Sequence, residues 1–205
     1  MYKNLTETIT SIASAKNLNE DRKEILQPLI DYIQQKINQK ESVNIQFICT
    51  HNSRRSHLAQ VWAQVFTAHF QIPKVNCFSG GTETTALFPK IVETLTEQGF
   101  SITKISKDEN PVYALKFDEN ALPIIGFSKR YDHAFNPASN FAAVMTCSEA
   151  DGGCPFIAGA EKRIPITYED PKIADNTSSQ TELYAKRSLE IATEMFYVFS
   201  KINRY

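Results

Sequence analysis

The chain has 205 residues, of which 42% are hydrophobic, and a formal net charge of -1 at a sequence pI near 6.4. This composition predicts one globular domain with additions, and it gives no electrostatic reason to expect nucleic acid or an anionic membrane as a partner. With no apolar signal core and no membrane-length run, the sequence favours the cytoplasm, where its four cysteines are expected to be thiols, metal ligands or catalytic groups.

The apolar pattern then predicts alternating helices and strands. Two helices come first, at 5–14 and 20–39, with Asn19 as the N-cap of the second. We interpret residues 1–42 as an N-terminal helical extension and residues 43–205 as the main domain. The elements of that domain are a strand at 43–48, a helix at about 55–70, a strand at 75–79, a helix opened by Pro89 and stopped by Gly99, strands at 141–146 and 163–167, and a helix at about 181–202. Their alternation implies an α/β fold with a mostly parallel sheet covered on both faces.

One segment, at about 106–135, interrupts the alternation. Two apolar runs at 111–117 and 122–127 flank the polar residues 118–121, which predicts an inserted β-hairpin or irregular lobe. Three roles remain open for it: a border of the active site, a subunit contact, or a decoration that packs on the body.

The most informative motif is a cysteine and an arginine at C-x5-R spacing between the first strand and the next helix. Such a strand-to-helix turn directs backbone N–H groups at one point, and the helix N-terminus adds positive potential. The same field favours the thiolate of Cys49. The sequence therefore predicts an oxyanion-binding loop that follows this nucleophile. Its residues are Thr50, His51, Asn52, Ser53, Arg54, Arg55 and Ser56.

Three side chains of this loop have predicted roles. Arg55 can bind two oxygens of the anion in a fork, and Ser56 can donate to the sulfur of Cys49. Asn52 tolerates the left-handed backbone that the middle of a tight loop requires. The alternative is a buried structural cysteine followed by surface arginines, which the strand before it and the amphipathic helix after it disfavour.

A second cluster is Cys147-Ser-Glu-Ala-Asp-Gly-Gly-Cys154. Cys147 directly follows a predicted strand, as Cys49 does, so both should lie at the carboxyl edge of a parallel sheet. The six intervening residues predict an exposed, flexible loop in which Cys147 can pair with either of the other two cysteines at different times. Two unrelated packing cysteines are the alternative, and zinc is a minor one because the spacing does not fit common zinc sites.

Asp170 follows the last predicted strand. A carboxylic acid at that edge can protonate an oxygen that leaves the bound oxyanion. From position alone, however, a turn initiated by the Asp170-Pro171 pair is the better interpretation.

Together, these motifs resemble a known family. The Cys49-x5-Arg55-Ser56 loop, the Ser79-Gly-Gly-Thr-Glu83 segment and the Asp170-Pro171 pair look like the low-molecular-weight protein tyrosine phosphatases. The segment from Cys147 to Pro155 looks more specifically like the thioredoxin-coupled arsenate reductases of that fold. The resemblance covers about 43–105 and 140–202, and it implies a three-layer sandwich around a four-stranded parallel sheet.

The resemblance also implies a mechanism without metal or organic cofactor. Cys49 would attack arsenate held by the loop and Arg55, while Asp170 acts as general acid. Cys147 would displace arsenite as a disulfide with Cys49, Cys154 would move that disulfide, and thioredoxin would reduce it.

The sequence departs from the family at several positions, and two other functions stay open. His51 stands where glycine is usual, Arg54 replaces a second loop cysteine, and Gln60 replaces a glutamate of potassium-binding reductases, so we predict no cation site. Cys77 matches no catalytic position and is expected to be a buried strand residue.

The first alternative function is a phosphatase for phosphotyrosine or a small phosphoester. Lys172 and Ile173 disfavour phosphotyrosine because they stand where aromatic residues are typical. The second alternative is a non-catalytic anion or redox sensor.

Overall fold

The structure of the protein is a computed structural model, which describes residues 1–14, 18–153 and 156–203. The helices of this part of the chain are α1 (Lys3–Ala13), α2 (Glu20–Asn38), α3 (Arg55–His69), α4 (Pro89–Glu97), α5 (Ser148–Gly153), a 3-10 helix (Pro171–Ala174) and α6 (Gln180–Ser200). Its strands are β1 (Val43–Cys49), β2 (Val75–Gly81), β3 (Ser101–Lys104), β4 (Tyr113–Lys116), β5 (Ile124–Gly126), β6 (Phe141–Met145) and β7 (Ala160–Pro165).

Four strands form a parallel sheet in the order β2-β1-β6-β7. The large core lies between this sheet and helices α2, α3 and α6, and it contains Ile45 and Phe47 of β1 together with Trp62 and Met195. A smaller core on the opposite face contains Cys49 and Cys147 beneath α5. The predicted parallel sheet with packing on both faces is confirmed, and the carboxyl ends of β1 and β6 meet at one edge.

The two N-terminal helices pack against α6. Asn19 is the N-cap of α2, as the sequence predicts, because its side chain accepts a hydrogen bond from the backbone N–H of Arg22 at 2.8 Å. Leu5 of α1 and Leu26 and Leu29 of α2 are fully buried in the large core. The helices therefore share the core of the α/β sheet.

The insertion contributes β4 and β5 to a small antiparallel sheet in the order β3-β4-β5, whose first strand precedes the insertion in sequence. The hairpin predicted within 111–127 is present as β4 and β5, and β3 adds a third strand that the sequence did not indicate. All four residues of β3 are exposed or only partly buried. The segment therefore shows no alternation of apolar and polar residues from which a strand could be predicted.

Two further boundaries differ from the sequence prediction. Strand β7 is Ala160–Pro165 and not 163–167. The sequence prediction began too late because Glu161 and Lys162, near the start of the strand, are charged and exposed. Residues 148–153 form helix α5 and not a flexible loop. Glu149 and Asp151 stabilise its first turn, and Ala150 packs into the small core. Among the described helices, none is long and apolar enough to cross a bilayer.

Candidate active site

The predicted oxyanion loop lies between the end of β1 at Cys49 and the start of α3 at Arg55. Asn52 in its middle has a φ of 45°, in the left-handed region, as expected from the residue type. The loop is therefore a tight strand-to-helix turn at the carboxyl edge of the sheet.

The carbonyl groups of the loop are held by neighbouring segments. The backbone N–H of Thr82 donates to the carbonyl of Cys49 at 3.1 Å, and that of Glu83 donates to Thr50 at 2.8 Å. The hydroxyl of Ser128, from the insertion, donates to the carbonyl of His51 at 2.8 Å. Because its oxygens are bound from outside, the loop keeps its shape without hydrogen bonds of its own amides.

The backbone N–H groups of residues 50–54 have no hydrogen-bond acceptor in the part of the chain that the structure describes. Backbone N–H groups in a folded protein normally have a partner, and a run of unpaired ones just before a 15-residue helix is suited to binding an anion. The arrangement of bound carbonyls and unbound amides is therefore what an oxyanion requires.

Cys49 is buried, with 4% of its surface exposed, and its sulfur lies 3.1 Å from the Ser56 hydroxyl. The same hydroxyl accepts a hydrogen bond from Asn52 Nδ2 at 2.9 Å. The orientation of that amide is fixed because Asn52 Oδ1 accepts the backbone N–H of Lys129 at 3.0 Å. The Ser56 proton is thus free to donate to the sulfur of Cys49.

Arg55 is held by the segment that follows β7. Its Nη1 donates to the carbonyl of Tyr168 at 2.9 Å, and its Nη2 binds Asp170 at 2.5 Å. Its Nε is buried and has no partner among the described residues. Asp170 also caps the 3-10 helix by accepting the backbone N–H of Lys172 at 3.0 Å. The structure therefore brings Asp170 to the loop, and both the turn role and the proximity needed for acid catalysis are present.

The other charged residues of the loop bind neighbouring side chains. Arg54 pairs with Asp175 at 2.7 Å and lies 4.0 Å from the centre of the Phe88 ring. Burial alone would raise the pKa of Asp175, but hydrogen bonds from Tyr184 and Gln180 and the charge of Arg54 lower it overall.

Two more members of the predicted loop contact residues that follow β2. His51 is partly exposed and lies 3.2 Å from a carboxylate oxygen of Glu83. The hydroxyl of Ser53 donates to the carbonyl of Ala86 at 2.7 Å. These side chains hold the loop against the segment that follows β2.

Cys147 lies next to the same loop. Met145, two residues before Cys147, is the register partner of Ile48 in β1, so the two cysteines lie at the carboxyl ends of paired strands. The hydroxyl of Thr50 lies 3.5 Å from the Cys147 sulfur and donates to Glu149 at 3.1 Å. The prediction that the two strands bring the cysteines to one edge is confirmed.

The predicted exposure of the second cluster is wrong for Cys147, whose exposed surface is 0%. Its sulfur accepts the backbone N–H of Ala150 at 3.4 Å, so the first turn of α5 covers it. The acidic residues and glycines at 148–153 correctly indicate a segment at the surface. They give no information on Cys147, which precedes them and lies in the core. Cys154 lies outside the described residues. Cys77 is a buried residue of β2, as predicted, and burial raises the pKa of its thiol.

The sequence reasoning missed Lys129. Its side chain is 1% exposed and lies 4.5 Å from the centre of the Phe127 ring. Burial lowers the pKa of Lys129 to about 7. Burial, and then the nearby Lys129 ammonium, lower the pKa of His57 well below its ordinary value. No sequence signal distinguishes this lysine from a surface one, since it lies in an irregular insertion.

Potential metal ligands do not cluster in the described residues: no group of three His, Cys, Asp or Glu side chains there could hold a metal ion. The candidate site consists of the predicted loop, Asp170 and Cys147, which supply two thiols, a guanidinium and a carboxylate.

Comparisons with known proteins agree with this geometry. No protein-family model matches the chain. An arsenate reductase of Staphylococcus aureus (strain Newman) is 29% identical over 127 residues, which cover 62% of this chain and 77% of that protein. Arsenate reductase 2 of Staphylococcus epidermidis is 27% identical over 128 residues, with the same shares covered.

Two solved structures share the fold. An arsenate reductase in the phosphate binding state superposes with a TM-score of 0.50 and 16% identity, covering 78% of this chain and 99% of that one. A low-molecular-weight phosphotyrosine phosphatase from Vibrio cholerae O395 gives a TM-score of 0.51 and 13% identity, covering 78% and 95%.

Proposed function

For this chain, which has the low-molecular-weight protein tyrosine phosphatase fold and is similar in sequence to arsenate reductases, we propose reduction of arsenate to arsenite. The observation that carries the proposal is the contact between the oxyanion loop and a second buried cysteine: the hydroxyl of Thr50 lies 3.5 Å from the sulfur of Cys147. A hydrolase of this kind needs one thiol, that of Cys49, whereas a reductase needs a second thiol that can reach the Cys49 sulfur.

In the first step, arsenate binds to the free amides of residues 50–54 and to Arg55. The thiolate of Cys49, stabilised by Ser56 at 3.1 Å, attacks arsenic. Asp170 gives a proton to a departing hydroxyl group, which leaves as water. The product is an arsenate ester of the Cys49 sulfur.

In the second step, the thiolate of Cys147 attacks the sulfur of Cys49. The sulfur–arsenic bond breaks, its electron pair stays on arsenic, and arsenite leaves. Two thiols are oxidised to one Cys49–Cys147 disulfide while arsenic is reduced by two electrons. Neither electron comes from a bound cofactor.

In the third step, Cys154 attacks Cys147 and releases Cys49 as a thiolate. This attack forms a Cys147–Cys154 disulfide. The dithiol of thioredoxin then reduces it, and a reducing cytoplasm is the compartment that this cycle needs.

In domain terms, we propose that residues 43–205 carry this chemistry, with an insertion at about 106–135, and that residues 1–42 are an extension. Ser128 of the insertion supports the loop through the carbonyl of His51. This contact favours the first of the three roles left open for the insertion, a border of the active site.

The test is NADPH oxidation through thioredoxin reductase and thioredoxin, with and without arsenate. We expect a rate that depends on arsenate and disappears in the Cys49→Ser variant. A wild-type protein that binds arsenate without sustained NADPH consumption would instead be a sensor, and the proposed reductase function would be wrong.

A second candidate, a small-phosphoester phosphatase, is favoured by the direct pair between Asp170 and Arg55 at 2.5 Å. Phosphate and arsenate share shape and charge, so the first step is common to both reactions. Ile173 beside this pair is 77% exposed and offers no aromatic ring to stack on a phosphotyrosine. We expect slow hydrolysis of p-nitrophenyl phosphate that does not require Cys147.

A further inference from the structure

The N-terminal extension reaches the edge of the active site through one side chain, that of Arg22 at the start of α2. Its Nε and Nη2 bind the two carboxylate oxygens of Glu194 on α6 at 2.5 and 2.8 Å. Nη2 also donates to the carbonyl of Thr167, just beyond β7, at 3.2 Å. One guanidinium thus joins the extension, the last helix and the segment that leads to the candidate general acid.

The carboxylate of Glu194 is buried, with 2% of its residue surface exposed. It accepts a hydrogen bond from the Tyr168 hydroxyl at 2.7 Å, and the Arg22 guanidinium lies 5.0 Å from the centre of the Tyr168 ring. A buried carboxylate is destabilising unless it is paired and hydrogen-bonded. Burial and Glu194 raise the pKa of Tyr168, so its hydroxyl stays a neutral donor. Arg22, Glu194 and Tyr168 are therefore a single hydrogen-bonded cluster.

The main chain of Tyr168 connects this cluster with the oxyanion loop. Its carbonyl accepts Nη1 of Arg55 at 2.9 Å, and Asp170, two residues later, binds Nη2 of the same guanidinium. Its backbone N–H donates to the carbonyl of Thr146, the residue before Cys147, at 3.2 Å. The position of the Tyr168 carbonyl therefore fixes the fork of Arg55 relative to the anion.

We propose that Arg22 is a positioning residue for the oxyanion site: by fixing Thr167 and Tyr168, it preorganises Arg55 and Asp170. The N-terminal extension then contributes to the geometry of the oxyanion site through Arg22. This inference rests on the proposed roles of Arg55 in anion binding and Asp170 in proton transfer. Arg22 itself touches neither the loop nor its anion.

A purely structural role for Arg22 makes a different prediction, and α2 supplies the matched control. In the C-terminal half of the helix, the Tyr32 hydroxyl donates to Glu161 of β7 at 2.7 Å and makes no contact with Thr167, Tyr168 or Glu194 among the hydrogen bonds of the described residues. Tyr32→Phe removes one anchor of α2 without touching Thr167, Tyr168 or Glu194. If α2 matters only for stability, Arg22→Gln and Tyr32→Phe will have similar effects on the site once both proteins are folded.

The experiment measures the dissociation constant of inorganic phosphate by calorimetry for the full-length wild type, Arg22→Gln and Tyr32→Phe. We expect Arg22→Gln to weaken phosphate binding about tenfold because the segment that carries the Tyr168 carbonyl, the partner of Arg55, is held less firmly, and Tyr32→Phe to leave it within about twofold of the wild type. Equal phosphate affinity in Arg22→Gln and the wild type would overturn the proposal. Phosphate binding needs no turnover, so this result is independent of whether the protein reduces arsenate.

A second variant covers the case in which Arg22→Gln does not fold because Glu194 is left as an unpaired buried charge. The double variant Arg22→Met/Glu194→Gln removes both charges and keeps an acceptor for the Tyr168 hydroxyl. We expect it to fold and still bind phosphate about tenfold more weakly than the wild type. Wild-type affinity in the folded double variant would show that Arg22 has no positioning role.

Discussion

Thr50 and Cys147 are in contact across the edge of the sheet, with the Thr50 hydroxyl 3.5 Å from the Cys147 sulfur. Thr50 is the residue after Cys49, the proposed nucleophile, and its own carbonyl is held by the backbone N–H of Glu83 at 2.8 Å. A buried thiol therefore lies against the oxyanion loop. This contact is the basis for assigning the second step of the reaction to Cys147.

Replacing Cys147 should separate the two reactions that share the loop. We expect Cys147→Ser to abolish arsenate reduction and to leave p-nitrophenyl phosphate hydrolysis within about threefold of the wild type, because only the disulfide step needs this sulfur. Cys49→Ser should remove both activities. Steady-state assays of both reactions on the same preparations provide the measurement.

The matched control is Cys77→Ala, in a buried cysteine of β2 whose backbone carbonyl accepts a hydrogen bond from Gln60. The backbone bond survives this change, so we expect both activities to persist. Arsenate reduction that persists unchanged in Cys147→Ser would contradict the proposed relay.

Asp170→Asn tests the general acid. The amide can still cap the 3-10 helix by accepting the N–H of Lys172, but it cannot supply a proton. We expect kcat for phenyl phosphate to fall about 100-fold, with a smaller loss for p-nitrophenyl phosphate, whose leaving group needs less protonation. Asp175→Asn, which disturbs the Arg54 pair at the same rim, is the control. A loss of the same size for both esters in Asp170→Asn would argue against proton transfer by Asp170.

Gly81 is required by the close approach of β2 to the loop. A Cβ atom there would lie 2.7 Å from the Thr50 carbonyl oxygen and 2.8 Å from the Asn52 nitrogen. Gly81→Ala should push the loop out of shape and weaken phosphate binding at least about tenfold. Gly152→Ala meets nothing within 4 Å and should leave phosphate affinity unchanged. Calorimetric titration with phosphate compares the two variants, and normal affinity in Gly81→Ala would contradict the described loop packing.

Lys129 should make stability depend on pH. Burial lowers its pKa from 10.5 to about 7 in the folded protein, so between these values the unfolded chain binds more protons than the folded one. The wild type therefore gains stability as pH rises through this window, and the burial penalty is largest below pH 7. The facing His57 is held neutral by burial and by Lys129, and Ser79 supplies an uncharged hydroxyl to both.

Lys129→Met removes that penalty. At pH 6 we expect it to raise the free energy of unfolding on the order of 3 kcal/mol, and the advantage should shrink toward pH 10. Lys104→Met, on an exposed position of β3, is the control and should show no such trend. Urea unfolding at pH 6, 8 and 10 provides the comparison. A difference between Lys129→Met and wild type that stays constant with pH would contradict the lowered pKa.

Local patterns predict the parts of this site that local chemistry determines. Cys49, the left-handed Asn52 and the start of α3 at Arg55 follow from a strand, a turn and a helix that are adjacent in sequence. The confirmed β4–β5 hairpin and the Asn19 cap are also local. The burial of Cys147 could not be predicted in the same way, because it depends on how α5 packs against β1 and β6.

The cluster of Arg22, Glu194 and Tyr168 could not be predicted from the sequence either, although one residue pattern in α6 indicated a buried charge. Glu194 interrupts the apolar stripe of α6 between Ile191 and Val198, and a charge in such a position indicates a buried partner. The identity of that partner, 172 residues earlier in the chain, is a property of the packed fold.

The most direct measurement is mass spectrometry of the Cys154→Ser variant after one incubation with arsenate in the absence of thioredoxin. Without Cys154 the relay should stop at its second step, so we expect one Cys49–Cys147 disulfide and one arsenite per chain. No disulfide between these two cysteines, or arsenite formed without it, would contradict the central claim that Cys147 completes the reduction begun at Cys49.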